Sequence, residues 1–123
     1  MQKLQFESAW DKTIAPQDRK QVIDAFQQIT TATKKGVFIT FLWKAENHKN
    51  ELLVTALIHN YDSTSLQMNH TVIAYQIEQE NIITNTFNVK PVIPGNTSMP
   101  WTFIFSSLNE TTQNPQYTIL NTL

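Results

Sequence analysis

With 123 residues, 41% of them hydrophobic, the chain is long enough to bury one core unaided, and the absence of cysteine excludes disulfides, thiol catalysis and thiolate zinc sites. A formal net charge of -1 gives no general attraction for nucleic acid or anionic lipid, which sets both partner classes aside. No run approaches the roughly 18 apolar residues that span a bilayer, and Met1 to Glu7 lacks the apolar core of a signal peptide. The expectation is a cytoplasmic protein, membrane-associated at most through a partner.

Leu4-Gln5-Phe6 alternates like a short strand. A helix is predicted over about 15–28: Pro16 suits the first turn, Thr13 offers a cap oxygen, and Val22, Ile23 and Phe26 form one apolar stripe. Thr30 to Lys35 is a polar connector ending at Gly36. From Val37 the period becomes two. Val37, Ile39, Phe41 and Trp43 share one face of a strand whose other face, Phe38, Thr40 and Leu42, is also largely apolar, as in a central strand covered on both sides. Asn47 to Asn50 is a tight turn, and Leu52, Val54, Ala56 and Ile58 form the returning hairpin arm.

After the loop Asn60 to Ser65, a strand is predicted from Asn69 to Gln79, with Thr71, Ile73, Tyr75 and Ile77 on one side. Glu80-Asn81 makes a turn, Ile82 to Val89 the next strand, and Lys90 to Gly95 a link. Trp101, Phe103 and Phe105 alternate in the strand that follows, so all three rings point to one inner face, opposite Trp43 or Phe41. A last strand covers Tyr117 to Leu120. About seven strands and one N-terminal helix, with turns at regular intervals, read as a mainly β, Ig-like antiparallel sandwich forming a single domain over residues 1–123.

Chemistry-bearing patterns are absent from the sequence. His48, His59 and His70 stand at odd spacings, which puts neighbours on opposite faces of a straight strand and builds no metal ligand set. Ser98 lies outside any nucleophile-elbow motif and is expected in a turn, hydrogen-bonding backbone. Glu78 with Glu80 is the one close carboxylate pair, at an exposed turn where nothing shifts its pKa. With only two glycines, Gly36 and Gly95, no phosphate-cradling loop can form. Neither an enzyme, a metal nor another cofactor is expected. Lys34-Lys35 and His48-Lys49 read as solvated turns. Trp43 and Trp101 fit core stripes, whereas Trp10, between Ser8-Ala9 and Asp11-Lys12, reads as an exposed anchor.

Several segments together resemble one known family: Ser8-Ala9-Trp10 with a Pro-led helix, Gly36 to Thr40, Leu53 to Asn60, the Ile73-Ala74 step, and Ser98-Met99-Pro100-Trp101-Thr102-Phe103-Ile104-Phe105. Over nearly its whole length the chain is similar to the SLAP domain of Gram-positive bacteria, and Pro-Trp-x-Phe-x-Phe is the most specific element. It departs in carrying one copy where that domain is often duplicated, and Glu80-Asn81 where a turn glycine is usual. The resemblance implies a non-enzymatic interaction module, an accessory to accessory-Sec export or assembly of S-layer and other secreted envelope proteins. Its partner would be the export machinery or such a cargo protein. The alternative is an extracellular ligand-binding or structural sandwich of a larger cell-wall protein. For the interaction module, the expected partner anchors are Trp10, Tyr61 and Met99, beside polar turns, with contacts made by a sheet edge or the loops around Tyr61 and Pro94.

Overall fold

The computed structural model describes residues 2–29, 35–77, 82–106 and 114–121. Among these the alternating segments become β1 (Lys3–Leu4), β2 (Val37–Glu46), β3 (Leu52–Asn60), β4 (Leu66–Ile77), β5 (Ile82–Ile93), β6 (Thr97–Phe105) and β7 (Tyr117–Asn121), with helices α1 (Ser8–Thr13) and α2 (Pro16–Gln27). One sheet has the order β1-β6-β3-β2 and the other β5-β4-β7, the two layers of a sandwich, so β2 lies at the end of its sheet with Phe38 exposed and is not the central, doubly covered strand that its apolar run predicts. Two ladders, β1 on β6 and β4 on β7, are parallel, so the sandwich is mixed where alternation alone pointed to an antiparallel one. The Glu78/Glu80 pair, the Glu80-Asn81 turn and Lys34 lie outside the described residues.

Two helices replace the expected single one. Pro16 forces Ala15 into extended geometry (φ -65°, ψ 145°), which ends one helix and opens the next with Pro16 at its first position. Thr13 therefore closes α1 and does not cap α2, its hydroxyl donating to the Ala9 carbonyl at 2.9 Å. The Glu7 carboxylate caps α1 by accepting from the Ala9 N–H. Arg19 locks the pair: its guanidinium is 2.8 Å from an Asp11 carboxylate oxygen, donates to the Asp11 carbonyl at 2.7 Å and lies 4.7 Å over the Phe6 ring.

Strand lengths also differ. β1 is Lys3–Leu4, shifted one residue ahead of the expected segment. β4 starts at Leu66 because register shifts between Leu66 and Thr71, with His70 at φ 47°, let the ladder bridge the polar Gln67-Asn69-His70 stretch. β5 runs through Pro91 to Ile93 as the sheet's outer strand, where a proline costs no ladder bond on its open side.

The core fills from both sheets. Val54, Ala56, Ile58, Met99, Phe103 and Phe105 face Met68, Ile73, Tyr75, Val89, Ile93 and Ile119. Phe103 and Phe105 are buried on the inner face, as their alternation predicts, and Trp101 packs half-buried beside them. Their main ring partner is Phe87, edge-on at 5.2 Å and 5.0 Å, while Phe41 reaches the cluster through Tyr75 at 6.0 Å. Trp43 is not in this core. A bulge shifts the β2–β3 register between Phe41, opposite Ala56, and Trp43, opposite Thr55, so Trp43 turns to the outer face.

One junction ties the sheets together. The Asn60 amide at the end of β3 donates to the carbonyls of Thr64, Ile93 and Pro94 at 2.8, 3.2 and 3.2 Å. Asn96 donates its N–H to the Asp62 carbonyl at 2.8 Å, drawing Gly95 against the same loop. A Cβ on Gly95 would stand 2.2 Å from the Ser63 carbonyl oxygen, so only glycine fits. Gly95→Ala should lower stability by about 1–3 kcal/mol or more in urea unfolding, the cost of forcing a methyl into backbone. Phe103→Ala should cost about 3–5 kcal/mol by the same measurement, because a fully buried ring leaves a cavity.

Candidate functional site: a two-tryptophan cleft

Residues alternate across β3 and β6, so Leu53, Thr55 and Thr102 turn away from the core, and the bulge adds Trp43 and Ala45 to that outer face. Over them lie the end of α1 and the start of α2. Together they frame an open cleft of about 400 Å³ lined by Trp10, Trp43, Ile14, Ala45, Leu53 and Asp18, among others. Both indoles are half-buried. Thr55 and Thr102 hydroxyls bond to each other at 2.8 Å on its floor, so their hydrogen-bonding is largely met within the sheet. Asp18, on the first turn of α2, is the sole charged group among the lining residues.

Of the three expected anchors, only Trp10 enters this cleft. Tyr61 is half-buried and stacks on the His59 ring at 5.4 Å and 11°, with Phe38 tilted against it at 5.8 Å. It roofs a buried histidine at the far end of β3. Met99 is 1% exposed and stands beside Ile58 on the inner face of the same sheet, so it is not on the surface a partner would touch. The turn that was expected to hold it ends sooner, at Asn96, and β6 already begins at Thr97. Trp43 and Asp18 were missed as site residues. Nothing in the apolar run Phe41-Leu42-Trp43 marks the bulge, whereas Asp18, as an acid on the first turn of a Pro-led helix, was a visible but weak signal.

Among the described residues, Ser98 and His59 form the one arrangement resembling catalytic machinery. The Ser98 hydroxyl lies 2.7 Å from His59 Nδ1 and accepts from the Gln2 amide at 3.1 Å, while His59 Nε2 lies 2.9 Å from the Thr40 hydroxyl. Ser98 thus bonds side chains within a strand and not backbone in a turn. Serine and histidine are 0% and 1% exposed, and the nearby Asp62 carboxylate accepts from the Gly36 N–H at 2.9 Å and does not orient the imidazole. A substrate would have no path to this serine, and the network reads as satisfied polar burial. His48 and His70 are exposed, in the β2–β3 turn and the β4 bulge. A second cleft of about 450 Å³ opens where Ile39, Phe41 and Leu42 of β2 face Thr118 and Leu120 of β7, and none of its lining residues is charged.

A family model described as the SLAP domain matches residues 4–120, a span that includes both helices, the cleft and five of the seven described strands in full. The chain belongs to the SLAP domain family. SLAP domains are related to the cell envelope and its S-layer. Among curated proteins and among solved structures, nothing matches this SLAP domain.

Burial pushes the Tyr61 hydroxyl above its ordinary value of 10.0, and burial together with the Asp62 charge does the same at Tyr117. Above pH 10 the unfolded chain therefore ionises first and the folded SLAP domain holds more protons. The stability these rings contribute is intact below pH 10 and is lost as pH rises through their folded values. Thermal unfolding between pH 8 and 11 should show the melting temperature falling at the alkaline end, and Tyr61→Phe should make that fall shallower.

Proposed function

We propose that this SLAP domain is a non-enzymatic protein-interaction module that assists export or assembly of secreted envelope proteins, working on the cytoplasmic side of the export route. Its partner is the export machinery or a cargo protein, docked on the cleft between the helical pair and the outer face of β2, β3 and β6. The observation that carries this reading is the pairing of two half-buried indoles, Trp10 and Trp43, in one open cleft. Binding energy concentrates in large aromatic side chains set in partly desolvated pockets, and tryptophan leads that list. Ile104, 49% exposed and pairing with Leu53 of the cleft floor, extends the apolar surface along β6. Membership of the SLAP domain family supports the envelope setting.

The test is site-specific crosslinking in living cells. A photoreactive phenylalanine replacing Trp10 should form adducts with an export component or a secreted envelope protein, and the same residue replacing exposed Gln67 on β4 should not. Trp10→Ala should weaken binding of that partner by about 2 kcal/mol, roughly thirtyfold, with little change in melting temperature because α1 buries none of its residues fully. Adducts at Trp10 with neither class of protein would overturn the proposal.

A further inference from the structure

We propose that the two-tryptophan cleft is a receptor for a basic side chain, an arginine or lysine presented by the docked protein, with Asp18 as its counter-ion. This deepens the interaction reading above and rests on it. The inference starts from the carboxylates of the helical segment. Glu7 caps α1 through the Ala9 N–H, Asp11 is paired with Arg19 at 2.8 Å, and Asp24 is paired with Lys20 at 2.8 Å. The Asp18 carboxylate has no hydrogen bond or ion pair among the described residues, yet it is half-buried in the cleft wall. Its sequence neighbour Arg19 is already engaged by Asp11 and the Phe6 ring, so that guanidinium does not neutralise it.

The rest of the lining suits a cation with an aliphatic stem. Indole faces attract ammonium and guanidinium groups through their quadrupole, more strongly than other side-chain rings, and two of them line this space. Ile14, Ala45 and Leu53 supply apolar surface for methylene groups while the charged head meets the carboxylate. The about 400 Å³ of space exceeds one side chain and leaves room for flanking backbone. A carboxylate ligand would be drawn by the first turn of α2, where Ala15 gives no side-chain cap, but Asp18 occupies that turn with a charge of the same sign. Charge complementarity therefore selects a basic segment.

The probes are N-acetyl-arginine methylamide and its neutral isostere, N-acetyl-citrulline methylamide, with the lysine and glutamate derivatives alongside. Each is titrated into the whole ¹⁵N-labelled domain while the indole N–H signals of Trp10, Trp43 and Trp101 are followed. The arginine and lysine probes should shift the signals of Trp10 and Trp43 and leave that of Trp101, on the core side of β6, in place. Citrulline should bind about tenfold more weakly, and Asp18→Asn should weaken arginine binding about tenfold while leaving citrulline unchanged, the loss expected of one charge-assisted contact. Unchanged amide signals for β3 and β6 establish that the variant is folded; should Asp18→Asn not fold, the arginine-to-citrulline ratio in the wild type decides alone. Equal affinity for arginine and citrulline, preference for the glutamate probe, or indole shifts with a simple hexose but not with arginine would each overturn the cation site. If the crosslinked partner is an export or envelope protein while arginine and citrulline bind alike, the interaction reading stands and the cation site falls. Arginine selectivity without such a partner gives the reverse.

Discussion

One extra residue in β2 divides the aromatic residues of this domain between two tasks. Phe41 stands opposite Ala56 and enters the core, while Trp43, two positions on, stands opposite Thr55 and leaves it. Without the bulge the side-chain period of two would send both rings inward, into space that Phe103, Phe105 and Phe87 already fill. The same residue that relieves the core therefore furnishes the outer face with its second indole. As β2 is the outer strand of its sheet among the described strands, the bulge also bends a backbone edge that would otherwise be flat and open to pairing.

At the opposite end of β3 the constraint is polar. Asn60 is 1% exposed and spends its amide donors on three carbonyls from two segments, the loop before β4 and the end of β5. Burial of such a group is tolerable only when it is satisfied, and that requirement fixes where the chain crosses from one sheet to the other. Next to it, the His59, Ser98, Thr40 and Gln2 side chains link β3, β6, β2 and the N-terminal segment in one hydrogen-bonded line. The two ends of the central strand are thus specialised: hydrogen bonding holds one, and the other floors a cleft.

The β-rich sandwich was legible because its strongest strands alternate cleanly, and the inward placement of Phe103 and Phe105 followed from period alone. What escaped the sequence shares a physical cause. A bulge at Phe41-Leu42-Trp43 sits in a run where every residue is apolar, so no change in pattern announces it. Helix α1 is six residues long, too short to show a period, and is held by the Glu7 cap and the Arg19 clamp. Met99 looked like a turn residue from its Pro-Gly-Asn flank, but β6 begins at Thr97, and its alternation then carries Met99 inward beside Ile58. The polar neighbours of Trp10 are visible in the sequence, whereas only three-dimensional neighbourhood brings Trp43 and Asp18 to the same cleft.

The ladder between β3 and β6 has a kinetic meaning. Its register joins Leu52 to Phe105 and Asn60 to Thr97, and the intervening chain holds the whole β4–β5 pair. Such long loops close slowly, because chain entropy must be surrendered before distant strands reward it. On a ribosome, Val54, Ala56 and Ile58 emerge well before Phe103 and Phe105, and β7 follows later still to meet Ile73 through Tyr117. During that interval β3, the most deeply buried of the described strands, has only β2 beside it, so the nascent domain passes through an adhesive stage whose length is set by the speed of translation.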